Sequence, residues 1–147
     1  MRTRCLYPVV AFLALTLAAC GGGPVRRISP PAVSIQQLSI AADGRWHVTL
    51  RIQNFSTVPT QFSAIHAKLE VAGVDAGTID VKPDIDITED SADIVETSIA
   101  ALTMLPTTGD FAYRIKGTID SSEPKGHYPI NYSSRLSPVP GIPNTWR

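Results

Sequence analysis

The sequence predicts an all-β protein, an antiparallel β-sandwich of about seven strands. Short segments alternate apolar and polar residues, which is the two-residue period of a strand with one buried face. Gly, Pro and Asp separate these segments. No apolar repeat with the helical period of about 3.6 residues continues for more than a turn or two. Short strands joined by tight turns are typical of two packed antiparallel sheets.

The first two strands are predicted to form a hairpin. Trp46–Gln53 alternates strictly and places its even-numbered residues on one face. Residues 33–40 are also strand-like, although the alternation slips at Gln36-Gln37, where a bulge would restore the inward face. Asp43-Gly44 joins the two segments and tolerates the positive φ of a tight turn.

Later segments repeat the strand pattern, and the most regular is 111–119, which has Phe111, Tyr113, Ile115 and Ile119 on one face. The others are 65–71, Val74–Val81 with Gly77 inside it, 94–99, and a segment through Tyr128, Ile130 and Tyr132 after a turn near Pro124.

Two segments depart from the strand pattern. A short helix is an alternative for residues 98–105, because Ala100-Ala101-Leu102 has good helix propensity before Pro106. Residues 138–147 are rich in proline and are expected to form an extended tail outside the sheets. Trp146 in that tail is expected to dock on the sandwich or to touch a membrane or partner.

The N-terminus resembles the signal of a bacterial lipoprotein. Arg2 and Arg4 precede a short apolar run that ends in small residues, as in a secretory signal. Residues 17–20, Leu-Ala-Ala-Cys, are similar to a lipobox, so we expect cleavage after Ala19 and diacylglycerol attachment at the Cys20 thiol. An ordinary signal peptide or a short membrane anchor is the alternative, but a spanning helix needs about 20 apolar residues.

After removal of residues 1–19, residues 20–31 are expected to be a flexible tether. Gly21-Gly22-Gly23-Pro24 has no tendency to form a helix, and residues 21–31 would extend at most about 35 Å. Because Gly21 rather than Asp follows Cys20, the lipoprotein resemblance implies an outer-membrane anchor facing the periplasm.

Composition limits what the mature chain can do. The chain has 13 Lys+Arg and 13 Asp+Glu, and losing Arg2 and Arg4 leaves 11 against 13, a formal charge of about −2. Without a basic excess, we expect no nucleic-acid partner. Cys5 would leave with the signal and Cys20 is expected to be acylated, so no disulfide, thiol nucleophile or thiolate metal ligand is expected.

Acidic residues are concentrated between positions 70 and 96, where nine acids accompany one base, Lys82. A solvated face that keeps the domain soluble is the favoured interpretation, and Ca²⁺ binding or repulsion from anionic lipids are the alternatives. The acids lack the Asp-x-Asp-x-Asp-Gly spacing of a calcium loop, so no metal or cofactor is predicted. They are Glu70, Asp75, Asp80, Asp84, Asp86, Glu89, Asp90, Asp93 and Glu96.

No catalytic set is recognisable, so the sequence predicts a protein that is not an enzyme. His47, His66 and His127 are isolated, and the first two lie on the outward phase of their strands. Serines occur in turns without a Gly-x-Ser-x-Gly elbow. The aromatic residues are expected to fill the core, with an apolar ligand groove between the sheets as the alternative. They are Trp46, Phe55, Phe62, Phe111, Tyr113, Tyr128 and Tyr132.

Several stretches of the chain together resemble landmarks of the late embryogenesis abundant subgroup 2 family, also called the water stress and hypersensitive response domain. These stretches are residues 46–54, Val58-Pro59, residues 69–73 with Ala76-Gly77, and residues 113–119. The resemblance covers about residues 32–136. One departure is Asn54-Phe55-Ser56, where the family commonly has Asn-Pro-Asn; Asn54 can still form an Asx-turn.

The resemblance implies an immunoglobulin or fibronectin-III-like sandwich over residues 32–137. It also implies a membrane-anchored envelope lipoprotein, not an enzyme, that protects or binds macromolecules under water stress. The alternatives are a carrier of lipid or another apolar ligand and an envelope scaffolding protein. The expected partners are the membrane, through the lipid anchor, and envelope proteins or lipids.

Overall fold

The computed structural model describes residues 22–106 and 108–147, which form two antiparallel sheets and contain no helix. The all-β prediction is confirmed, and the two sheets have a sandwich-like arrangement. The strands are β1 (Ala32–Ile40), β2 (Trp46–Gln53), β3 (Thr60–Val71), β4 (Val74–Val81), β5 (Ile85–Ile87), β6 (Ala92–Ile99), β7 (Phe111–Glu123), β8 (Lys125–Leu136) and β9 (Thr145–Trp146).

The first sheet has the strand order β6-β2-β1-β9. Its β1–β2 hairpin contains the predicted bulge, since the register shifts between Ile35 and Gln37 and leaves Gln36 unpaired. The predicted turn is also present: Gly44 has a φ of +81° and donates its N–H to the Ala41 carbonyl at 3.0 Å. Glycine adopts this left-handed backbone without a Cβ clash.

The second sheet has the order β4-β3-β7-β8, and the short β5 pairs with the start of β3. Its outer surface is polar, because alternate residues of the long strands β3, β7 and β8 point away from the first sheet. Together the two sheets contain all seven predicted strands, and β5 and β9 are additional.

The core lies between the two sheets, where their apolar faces meet. The even-numbered residues of β2 are buried as predicted, and so are Phe111, Tyr113, Ile115 and Ile119 of β7. The side chains from both sheets belong to one continuous buried cluster. Because stacked sheets lie about 10 Å apart, side chains from the two inner faces interdigitate between them.

Tyr113 joins the two sheets where β1 has no neighbouring strand. Its hydroxyl accepts a hydrogen bond from the Ile35 N–H at 3.1 Å and donates to the Ile35 carbonyl at 3.5 Å. On this side β9 pairs only with Leu38 and Ser39. Burial raises the pKa of Tyr113 above its ordinary value of 10.0, while the bond to Ile35 acts in the opposite direction. The phenol therefore replaces a missing strand partner.

The helix considered for residues 98–105 is absent. Ser98 and Ile99 end β6, and the described residues after them are irregular. The Leu102 N–H bonds to the carbonyl of Ala76 in β4 at 3.1 Å, so it does not close a helical turn. Leu105 is buried in the core. Contacts with β4 and the core thus override the local helix propensity.

The end of the chain is not wholly outside the sheets, which corrects the expectation for its last residues. Thr145–Trp146 forms β9 beside β1, and the Trp146 ring packs edge-on against Phe111 with centroids 5.8 Å apart. The prolines at 138, 140 and 143 precede this strand, so none of them interrupts its hydrogen bonds. Of the two interpretations of Trp146, docking on the sandwich is the one observed.

The sandwich has two distinct ends. At the Asn54 end, β2 ends, β3 begins and β7 turns into β8 near Pro124. The opposite end carries the β1–β2 turn and the β3–β4 turn at Gly73. The chain enters at the Asn54 end, because residues 22–31 lead directly into β1 there.

We expect Tyr113→Phe to lower the free energy of unfolding by about 1–3 kcal/mol, because the buried N–H and carbonyl of Ile35 lose their partner. Since the folded pKa of Tyr113 is raised, its contribution is complete below the ordinary value of 10.0 and is lost as pH rises through the folded pKa. The variant should therefore lack part of the alkaline loss of stability. Urea unfolding at neutral and alkaline pH measures both effects.

The control is Tyr132→Phe, because Tyr132 is a more exposed neighbour whose ring centroid lies 6.3 Å from that of Tyr113. Its stability should stay within about 0.5 kcal/mol of the wild type. Equal losses in the two variants would contradict the assigned role of the Tyr113 hydroxyl.

Candidate functional site: the loop that holds the N-terminal segment

The predicted lipid-attachment residue Cys20 and the cleavage residue Ala19 lie outside the described residues, as do the signal residues 1–19. Among residues 22–106 and 108–147, no helix has the length and apolar character to cross a membrane. The described residues nearest to the expected anchor begin at Gly22.

The three histidines lie apart on the outer surfaces of the sheets. His66 Nδ1 is 3.1 Å from the Asp80 carboxylate, across the β3–β4 pair. His127 contacts Asp120 across the β7–β8 pair, and His47 is exposed on the first sheet. In the part of the chain that the structure describes, no three His, Cys, Asp or Glu side chains are grouped to hold a metal ion.

The acidic residues are spread over β3, β4, β5, β6 and the loops between them. Several make local hydrogen bonds: Asp75 Oδ1 accepts from the Gly77 N–H at 3.0 Å, and Asp84 Oδ1 accepts from Gln61 Nε2 at 3.0 Å. Asp90 donates its backbone N–H to the Ser56 carbonyl. This arrangement fits the interpretation as a solvated surface.

The predicted aromatic set divides between core and surface. Trp46, Phe62, Phe111 and Tyr113 are buried in the shared core, whereas Phe55 and Tyr132 are exposed and Tyr128 packs against the core from its margin. Core packing, the favoured interpretation, accounts for the first four residues.

The described clefts lie on the outside of the sandwich. One, of about 620 Å³, opens to solvent beside the β7–β8 turn and is lined mainly by polar residues that include Ser63, Asp120 and His127. It lies outside the sandwich, whereas the groove expected of a lipid carrier would lie between the sheets.

Asn54 organises the end of the sandwich at which the chain enters. It is buried, and its Oδ1 accepts the Ser56 N–H at 2.9 Å, which is the predicted Asx-turn. Its Nδ2 lies 3.0–3.1 Å from the carbonyls of Val58, Ile87 and Thr88. One side chain thus joins residues 54–59, here called the docking loop, to β5.

The docking loop binds residues 25–29, here called the docked segment. Thr57 Oγ1 accepts the Arg27 N–H at 2.8 Å and donates to the Val25 carbonyl at 2.8 Å. The Thr57 N–H in turn bonds to the Arg27 carbonyl at 3.0 Å. The Oγ of buried Ser56 accepts a further bond from the Ser29 N–H at 3.0 Å. The docked segment is therefore attached to the sandwich by its backbone.

This attachment corrects the reach expected for residues 21–31. Only residues 21–24 separate Cys20 from the first hydrogen-bonded residue, Val25. The five peptide steps from Cys20 to Val25 span at most about 17 Å, roughly half of the reach expected from sequence. The expectation of a flexible tether fails for the docked segment.

Ser56 and Thr57 were not predicted to have a role. Their only signal is that two hydroxyl residues follow Asn54, a pattern that turns use in general. Their partners lie 27–32 residues earlier in the chain, and no local pattern connects the two segments.

Comparison with known proteins gives likeness of structure alone. No family model matches the chain, and no curated protein is significantly similar to it. Similar solved structures include a protein described as late embryogenesis abundant, at 14% identity and a TM-score of 0.46 over 95% of this chain and 82% of that chain. A protein of Arabidopsis thaliana has 13% identity and a TM-score of 0.48 over 78% of this chain and 80% of that chain.

A Bordetella pertussis protein described as ApaA is also similar in structure, with 13% identity and a TM-score of 0.48 over 81% of this chain and 100% of that chain. At these identities and TM-scores, none of the similar structures transfers a function to this chain. Functional argument therefore rests on the chain's own residues.

We expect Thr57→Val to release the docked segment, because the isosteric change removes both side-chain hydrogen bonds to Val25 and Arg27. Each such bond is worth about 1 kcal/mol, so the loss of both should let trypsin cleave after Arg26 and Arg27 about thirtyfold faster. Limited proteolysis followed by mass spectrometry measures the rate.

The matched control is Thr78→Val, since Thr78 is exposed on β4 and its hydroxyl makes no hydrogen bond to the described part of the chain. Its cleavage rate should equal that of the wild type. Unchanged cleavage in Thr57→Val would show that the docked segment is held by something other than Thr57.

Proposed function

We propose that this protein is a non-enzymatic lipoprotein of the bacterial cell envelope, anchored through Cys20 to the outer membrane and facing the periplasm. Its sandwich would bind or protect neighbouring macromolecules under water stress. The lipobox-like residues 17–20 support the anchor. The resemblance of residues 32–136 to late embryogenesis abundant subgroup 2 supports the stress role.

The observation that carries the proposal is the attachment of the docked segment to the docking loop. A lipid on Cys20 would be linked to the sandwich by residues 21–24 alone, because Val25, Arg27 and Ser29 are bonded to Ser56 and Thr57. The Asn54 end would then stand within about 17 Å of the lipid-bearing residue. Such a short link suits a domain that works at the membrane surface.

A surface role fits the distribution of polar and apolar side chains. The outer face of the second sheet carries exposed Lys68, Arg114, Lys116 and Asn131, while apolar side chains fill the space between the sheets. An apolar ligand would have to displace these core residues, at a cost of several kcal/mol for each large side chain. Binding through the polar faces requires no such displacement.

Cys20→Ser should abolish membrane retention, because the hydroxyl does not replace the thiol that accepts the diacylglycerol. Acyl chains contribute about 0.8 kcal/mol of membrane-binding free energy per buried CH₂, and two or three chains hold a protein stably at the membrane. Fractionation of cells, with mass spectrometry of the mature N-terminus, measures the outcome. A processed variant that stays in the membrane fraction would contradict the anchor.

The purified protein should reduce aggregation of a test enzyme during drying or freezing more than an equal mass of an inert protein does, because its folded polar faces would separate partly unfolded chains. Light scattering and recovered enzyme activity measure protection. Equal protection by the two proteins would rule out a specific protective function.

A further inference from the structure

We propose that the docked segment and Phe55 form a surface that contacts the phospholipid bilayer and sets the orientation of the sandwich on it. This inference rests on the proposed function, since it needs the anchor at Cys20. It goes further, because it assigns described side chains to lipid contact.

Three exposed apolar side chains lie at the Asn54 end next to the expected anchor, whereas others, such as Val74, lie at the opposite end. Val25 is 80% exposed, Ile28 is 47% exposed and Phe55 is 46% exposed. Hydrogen bonds place them together: Thr57 holds the Val25 carbonyl, and Arg27 Nη2 lies 3.3 Å from the Phe55 carbonyl. Apolar side chains of this kind enter the boundary between headgroups and acyl chains.

The charges beside these side chains suit lipid headgroups. Arg26 and Arg27 lie between Val25 and Ile28 in the chain and are both exposed, and guanidinium groups form paired hydrogen bonds with phosphate oxygens. Asp90 borders this surface, because its N–H donates to the Ser56 carbonyl. Phosphates repel its carboxylate, so contact is confined to residues 25–28 and Phe55.

The position of the expected anchor identifies a bilayer as the occupant of this surface. Cys20 precedes Val25 by five residues, so Val25 stands at most about 17 Å from a lipid-bearing residue 20. Because backbone hydrogen bonds hold residues 25–29 to the docking loop, insertion of Val25 or Ile28 would fix the direction of the whole sandwich. A swinging tether would not transmit this orientation.

The test places tryptophan at the proposed contact in the full acylated protein. Phe55→Trp is reconstituted into phosphatidylethanolamine–phosphatidylglycerol vesicles with or without lipids brominated near the headgroup. Val74→Trp is the matched control, because Val74 is an apolar residue of similar exposure, 53%, at the opposite end. Native Trp46 and Trp146 are buried at that opposite end and supply a constant background.

Brominated lipids should quench Phe55→Trp about twofold, as expected for a ring about 5–10 Å deep, and should leave Val74→Trp unchanged. Ile28→Trp should behave like Phe55→Trp and serves if that variant does not fold. Equal quenching at residues 55 and 74, or none at either, would overturn the contact surface in a protein whose N-terminus is shown by mass spectrometry to be acylated. An unacylated N-terminus would overturn the proposed function, and it would also overturn the contact surface, which needs the anchor at Cys20.

Discussion

One end of the sandwich depends on the hydrogen bonds made by the carboxamide of Asn54. Its oxygen caps the Ser56 N–H, and its nitrogen lies within hydrogen-bond distance of the Val58, Ile87 and Thr88 carbonyls. A buried carbonyl without a partner costs about 1–3 kcal/mol, so no apolar side chain could replace Asn54 here without a large loss. The end of β2, the approach to β3 and the position of β5 are therefore stabilised by one side chain.

The docking loop gains its function from this constraint. Because Asn54 holds the turn, Ser56 and Thr57 are presented to residues 25–29 in a fixed geometry, and the entering chain is bonded rather than free. The opposite end is stabilised differently, by packing of Trp146 on Phe111. A protein anchored near residue 20 would consequently have the Asn54 end, which hydrogen bonds stabilise, at the membrane. The polar faces of both sheets would then be available to partners.

Much of the fold was predictable because apolar and polar residues alternate along a half-buried strand, and this alternation is visible in the sequence. The alternation in Trp46–Gln53 and the slip at Gln36-Gln37 predict a strand and a bulge, and both are observed. The helix considered for residues 98–105 was wrong, since helix propensity is a weak local preference that the bond from Leu102 to Ala76 overrides. Of the candidate site, the Asx-turn of Asn54 was predictable, whereas its bonds to β5 were not.

The sequence by itself determined the fold class, the main strands and the turns, because alternation, turn residues and Asx-turns act over a few neighbouring residues. Only the tertiary structure decided that Tyr113 bonds to Ile35, that Thr57 holds Val25 and Arg27, and that Trp146 closes the edge beside β1. These partners are separated by 30 to 108 positions in the chain. They meet because two sheets bury a shared apolar interior, and packing of that interior brings together groups that no local pattern connects.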